Sequence, residues 1–195
     1  MVDIHLPISE KDVRKLKIGD EVSLYGTIIT ARDAAHKLMV EKWPDFLNPL
    51  LKDGAIYHCG PVMKKENEKW KAVAAGPTTS IREEPYEADV MRHYGVRFII
   101  GKGGMGEKTL DACKNVGAVY LHAVGGAALL LADTVTNVKA VHMLTELGVP
   151  EAFWEFEVKG FKGVVTMDSH GNSLHKNLFE ETKKKRDELI KFKEI

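Results

Sequence analysis

The residues with chemistry to offer gather around two glycine turns. The first reads Gly76-Pro77-Thr78-Thr79-Ser80-Ile81-Arg82, the second Gly101-Lys102-Gly103-Gly104-Met105-Gly106. Each precedes a stretch of helical composition. A helix start presents free backbone N–H groups and the positive end of a dipole. With Arg82 and Lys102 added, the two turns form a receptor for a carboxylate or a phosphate. Arg32 and His36 make a second contribution, because residues four apart share one face of a helix. Plainer roles compete with each assignment: surface ion pairs for Arg82 and Lys102, caps for Thr78 and Thr79, a solvated face for Arg32 and His36.

Positioning these groups falls to a run of strands and helices. Val2–Leu6 alternates as an edge strand, and Ser9 with Asp12 resembles a capping pair for a helix over Glu10–Leu16. Glu21–Thr30 is rich in β-branched residues and reads as a strand. Ala31-Arg32-Asp33 opens a helix that Pro44 stops. Ala55–Cys59 reads as a strand, and Val62–Ala75 as a hairpin turning at Lys65–Glu68. Helices over Glu83–Tyr94 and Glu107–Val116, closed by Gly95 and Gly117, alternate with strands over Val96–Ile100 and Ala118–Val124. Helical segments are expected to fill Ala127–Leu147. Phe153–Lys159 and Gly163–Met167 read as two strands, Asp168–Asn172 as a tight turn, and 174–195 as a C-terminal amphipathic helix.

The repeated strand, glycine turn and helix predict an α/β fold: one mixed-sheet domain over residues 1–195, its sheet partly closed. Ligands of such folds sit at the C-terminal ends of the strands.

Composition excludes several function classes. The 195 residues hold 28 basic and 28 acidic side chains. That balance argues against nucleic-acid binding through bulk charge. Cys59 and Cys113 are the only cysteines and lie far apart, so the chain cannot supply the three or four thiolates of an iron–sulfur cluster. A disulfide framework is equally unsupported, which fits a reducing cytoplasm. No signal peptide and no membrane span are expected.

Two motifs are near misses. Gly101–Gly106 fits G-x-G-x-x-G between a strand and a helix, but the following strand ends in Val124-Gly125-Gly126 and not in the acid that holds a ribose. Gly106-Glu107-Lys108-Thr109 departs from a P-loop by one inserted residue, which turns the lysine about 100° around the helix. No H-x-x-x-H pair marks a metal site. Lys183-Lys184-Lys185-Arg186, flanked by acids, reads as a solvated helix face.

Taken in order, Gly26-Thr27-Ile28-Ile29-Thr30-Ala31-Arg32-Asp33-Ala34-Ala35-His36, His58-Cys59-Gly60-Pro61, the two turns, Gly125-Gly126, Glu146-Leu147-Gly148 and Asp168-Ser169-His170-Gly171-Asn172 form a pattern. It resembles the β subunit of class I fumarases and L(+)-tartrate dehydratases, over about Leu16 to Leu178. The resemblance implies the swivelling β/β/α fold and a cytoplasmic hydro-lyase. It implies reversible hydration of fumarate to malate, a tricarboxylic-acid-cycle reaction, or alternatively conversion of tartrate to oxaloacetate. It implies a [4Fe–4S] cluster held by a partner α subunit, in a dimer of heterodimers inactive without that partner. It places His36 and Thr78 as catalytic, without deciding which carries the proton. It makes Arg32, Arg82 and Lys102 the residues that bind the dicarboxylate substrate. A different class of reading is a non-catalytic anion-binding module.

Overall fold

In the computed structural model, which describes residues 1–191, five strands pair in a ring. The elements run β1 (Val2–His5), α1 (Glu10–Val13), β2 (Glu21–Thr30), α2 (Asp33–Lys42), α3 (Asn48–Leu51), β3 (Ala55–Tyr57), β4 (Val62–Glu66) and β5 (Lys69–Ala74). A 3₁₀ turn over Ser80–Glu83 leads to α4 (Glu87–Tyr94), β6 (Phe98–Gly101), α5 (Glu107–Val116), β7 (Val119–His122) and α6 (Ala128–Asp133). The chain ends with β8 (Val135–His142), α7 (Leu144–Leu147), β9 (Phe153–Met167) and α8 (Leu174–Lys191). The expected helix over 174–195 is therefore seen to Lys191; residues 192–195 lie outside the described residues.

Strands β2, β3, β6 and β7 are parallel neighbours. β9 runs antiparallel to β7 on one side and to β2 on the other, which closes the ring. β1 and β8 extend it as edge strands. The parallel strands thus share one end, and Arg32, His58, Lys102 and the Val124-Gly125 turn all follow those C-terminal ends.

Period-two alternation builds two cores. Ile28, Tyr57, Ile100, Leu121 and Phe156 point into one, where side chains meet across the ring: the Tyr57 and Phe161 rings lie 5.0 Å apart. Their sequence neighbours Ile29, Ile56, Ile99 and Tyr120 point into the other, against Met39, Met91 and Leu110 of α2, α4 and α5. Helix α5 spans the expected residues, and Gly95 and Gly117 close their helices at φ 71° and 69°. The β4–β5 hairpin turns on Asn67 and Glu68, both at positive φ.

Three expectations are corrected. The stretch Ala127–Leu147 is not helical throughout: α6 and α7 flank strand β8, which pairs with β9. β8 slips register twice, between Val135 and Asn137 and between Val138 and Ala140. Those bulges place apolar Val135, Val138 and Val141 three apart, a spacing that mimics a helix. The two strands expected over Phe153–Met167 are one strand, in which Gly160 (φ 74°) stands unpaired while Leu24 faces Phe161 and Tyr25 faces Lys159. The helix expected from Glu83 begins at Glu87, after the 3₁₀ turn and a link containing Pro85, which has no N–H to donate.

Candidate functional site

The turn carrying Thr78 is laced between two strand ends. Its Thr78 nitrogen donates to the His58 carbonyl after β3, at 2.7 Å. The Thr78 carbonyl accepts from the Lys102 nitrogen at 3.3 Å, and the Lys102 carbonyl from Ser80 at 3.0 Å. Thr78 and Lys102 are therefore backbone neighbours, and both side chains are half-buried. Gly101 makes the crossing possible: a Cβ there would stand 1.9 Å from Ser80 Oγ.

Arg32 leaves the end of β2 in extended backbone and crosses Gly60, where a Cβ would meet its Nη1 at 2.6 Å. Glu151 holds this corner. One oxygen accepts from the Ala34 nitrogen in the first turn of α2 at 3.0 Å, and the other lies 3.4 Å from Arg32 Nε. Arg82, on the 3₁₀ turn, reaches Asp33 Oδ2 at 2.7 Å, and Arg32 Nη2 stands 3.5 Å from the same oxygen. Two guanidiniums from different elements thus converge on one carboxylate. The Arg82 side chain is 53% exposed, so this chain alone screens it poorly from water.

His36 lies beneath, fully buried. Nδ1 is 2.9 Å from the Arg32 carbonyl and Nε2 is 3.0 Å from Glu87 Oε2. The same Glu87 oxygen is 2.8 Å from His58 Nε2. His58 Nδ1 faces Ser80 Oγ at 2.9 Å, which also receives the Tyr120 hydroxyl at 2.8 Å. Burial penalises the Glu87 carboxylate, but the His36 charge and two ring hydrogen bonds prevail and hold it at about 2. Burial likewise works against a charged His36, yet Glu87 keeps its pKa raised. Burial wins at His58, whose pKa is lowered. Glu83, with neither oxygen bonded among the described residues, is pushed by burial up to about 7.

The ring nitrogens of His36 and His58 and the Glu87 carboxylate lie within 4.8 Å of one another, a spacing that metal ligands also adopt. The hydrogen bonds account for it, since both Nε2 atoms address one oxygen. The cysteines do not fit a cluster. Cys59 and Cys113 are buried in different cores, and burial pushes the Cys59 thiol up to about 12 and raises Cys113 as well.

The second turn departs from expectation. The N–H groups opening α5 are not free: Glu84 accepts from Gly106 at 2.7 Å, Lys108 at 3.0 Å and Thr109 at 3.3 Å. The Thr109 hydroxyl joins them at 2.7 Å. This turn offers an anion Lys102, not a helix dipole.

The fold brings Arg32 and Arg82 to one carboxylate and sets Thr78 beside Lys102, with His36 behind the wall. Sequence reasoning missed Asp33, His58, Ser80, Glu84, Glu87 and Glu151. Glu84 and Glu87, two and five residues beyond Arg82, are acids on a segment already singled out, and His58 opens the quoted His58-Cys59-Gly60-Pro61 motif; Glu151 carries no local signal.

Residues 1–178 match the family described as Fumarase C-terminus. A protein of Geobacillus stearothermophilus named as a class I fumarate hydratase is 52% identical over the whole of this chain, which spans 37% of that protein. A protein of Methanocaldococcus jannaschii named as an L(+)-tartrate dehydratase β subunit is 46% identical over 94% of this chain and 95% of its own length. The Escherichia coli K12 L(+)-tartrate dehydratase β subunit is 38% identical over 94% of this chain and 91% of its own.

Proposed function

The chain belongs to the fumarase C-terminus family, and from that premise we propose that it is the β subunit of an iron–sulfur-dependent hydro-lyase that reversibly hydrates fumarate to malate. The observation that carries the reading is the convergence of Arg32 and Arg82 on the Asp33 carboxylate. A dicarboxylate substrate needs such cationic clamps, both to position it and to stabilise charge that builds as a proton leaves carbon beside a carboxylate. In this reading Arg32 and Arg82 grip carboxylate by their planar forks, and Lys102 adds a point charge. Of the two candidate proton carriers, half-buried Thr78 is the one open to a substrate; its weak basicity calls for activation by the cationic site or by a partner carboxylate.

The [4Fe–4S] cluster belongs to the partner α subunit, since Cys59 and Cys113 cannot ligate it. Exposure of Arg82 supports a site completed by another chain, as do exposed Val124, Leu129 and Leu130 at 62%, 66% and 71% beside the Gly125-Gly126 turn. The same reading makes residues 1–195 one swivelling β/β/α domain in a cytoplasmic dimer of heterodimers. Among the described residues no helix is long and apolar enough to cross a membrane.

L(+)-tartrate is the second candidate substrate, favoured by the matching lengths of the two tartrate dehydratase β subunits. The test is anaerobic conversion of malate and of L(+)-tartrate by this chain mixed with its cluster-bearing partner. Activity in the mixture alone supports the split hydratase, and the preferred substrate names it. A chain that forms no complex is instead an anion-binding module.

A further inference from the structure

We propose that His36 is a permanent imidazolium, protonated on both ring nitrogens, and that it is a positioning residue for Arg32 and Thr78, not the group that carries the reaction's proton. The functional half of this inference rests on the dicarboxylate pocket proposed above; the protonation state does not.

The hydrogen-bond partners decide the protons. Nδ1 faces a backbone carbonyl, the Arg32 oxygen at 2.9 Å, which can only accept. Nδ1 therefore bears a proton. Nε2 faces Glu87 Oε2 at 3.0 Å, and that oxygen must also serve His58 Nε2 at 2.8 Å. His58 in turn takes the Ser80 hydroxyl on Nδ1: with the Tyr120 hydroxyl donating to Ser80 Oγ, His58 Nδ1 is the remaining partner for the Ser80 proton among the described residues, and a proton on Nδ1 would strand it. His58 is then neutral, with its one proton on Nε2 pointing at Glu87. Were Glu87 protonated, either Oε2 would receive that bond as a hydroxyl oxygen, the poorer acceptor, or the proton would sit on Oε1, which has no hydrogen-bond partner among the described residues. An ionised Glu87 accepts from both rings, so His36 donates from Nε2 as well. The charged and titratable groups facing His36 come from three elements. Glu83 lies on the 3₁₀ turn with Oε2 at 3.7 Å from Nδ1, and Glu87 on α4. His58 follows β3, its ring edge-on to His36 at 5.1 Å.

A doubly protonated ring with no exposed surface has no lone pair to offer a substrate. What it does is hold two pocket residues together. Its Nδ1 proton fixes the Arg32 carbonyl, from which that side chain enters the pocket. Its Nε2 proton and that of His58 share Glu87, and the His58 carbonyl anchors Thr78 at 2.7 Å. One buried carboxylate thereby ties the arginine corner to the threonine turn.

The test is ¹H–¹⁵N correlation of the histidine rings in the full chain, dialysed against chelator, from about pH 5.5 to about 8.5, a range that spans ordinary histidine titration. Both His36 nitrogens are expected to keep the protonated signature throughout, while His58 shows a bare Nδ1. Loss of the Nε2 proton from His36 near neutrality overturns the proposal. In Glu87→Gln, His36 is expected to titrate as a neutral ring at pH 7; a ring still doubly protonated there overturns the pairing. In the assembled enzyme, His36→Gln is expected to raise KM about tenfold, the loss of roughly one well-placed hydrogen bond, and to leave both limbs of the pH–rate profile in place. A lost limb would make His36 a proton carrier. The spectra need neither partner nor substrate, so failure of the hydratase reading leaves them unchanged.

Discussion

The Glu84 carboxylate sits on the first turn of α5, 2.7 Å from the Gly106 nitrogen and 2.7 Å from the Thr109 hydroxyl. The protein thus fills with its own acid the helix terminus that its glycine-rich sequence would otherwise offer to a phosphate. Glu84 also stands two residues after Arg82, so the same carboxylate clamps the arginine turn to the loop that follows Lys102.

Removing that cap should cost stability and open the helix end. Glu84→Ala leaves several donors unpaired, for a loss of about 1–3 kcal/mol. For a chain of this length that lowers Tm by roughly 2–4 °C per kcal/mol. Inorganic phosphate should recover part of the loss in the variant and little in the native chain. Thermal melts with and without phosphate check this, and equal phosphate effects in both proteins would refute it.

Arg82→Ala and Lys102→Ala should impair substrate use and spare the fold. Each removes a charge-assisted contact of about 1.5–3 kcal/mol, or roughly 10–100-fold in kcat/KM of the assembled enzyme. Arg82 is exposed and contributes little packing, so its variant should melt with the native chain. A variant that fails to fold would assign the residue a structural part instead.

Glu83 gives the fold a pH slope. Its carboxyl rises from 4.5 unfolded to about 7 folded, because burial disfavours its charge. Between those values the folded chain binds more protons than the unfolded one, so stability falls as pH rises through the window. Glu83→Gln removes that term. Its stability relative to the native chain should improve steadily from pH 4.5 to pH 7, measured by urea unfolding at each end. Parallel curves for the two proteins would show that Glu83 does not titrate there.

Gly101→Ala should break the seam beneath the site. The added methyl overlaps Ser80 Oγ and crowds His58 Nδ1 at 3.2 Å. Thr78 and Lys102 depend on that crossing, so loss of activity should accompany a stability loss of about 1–3 kcal/mol from overpacking. Gly103→Ala, two residues on, meets only Thr79 Cγ2 at 4.0 Å; its cost is confined to its positive φ of 82°, about 1–2 kcal/mol. Equal losses in the two variants would argue against the seam.

Much of this was legible in the sequence because the signals are local. Helix α5 closes at Gly117 as expected, and β2 follows from its β-branched run. β8 was hidden because its bulges shift the apolar residues to every third position, and only pairing with β9 makes that a strand. The arginines, the lysine and the threonine stood out by their glycine turns. Their supports did not: Glu87 meets His58 from 29 residues away, and Glu151 reaches Ala34 across 117. Such partners are chosen by the sheet order, which no window of sequence reports.

The closure of β9 on β2 also sets a timetable for biosynthesis. Thr27 and Glu157, which touch across that seam at 3.1 Å, are separated by 130 residues. Until the ribosome has released β9, β2 has one bare edge and the Tyr57 side of the core lacks its Phe161 wall. Pairings of such long range form slowly, and an unpaired edge invites other chains. A nascent chain stalled before Phe153 should therefore be a client for chaperones, and truncation there should yield insoluble protein, not a smaller working domain.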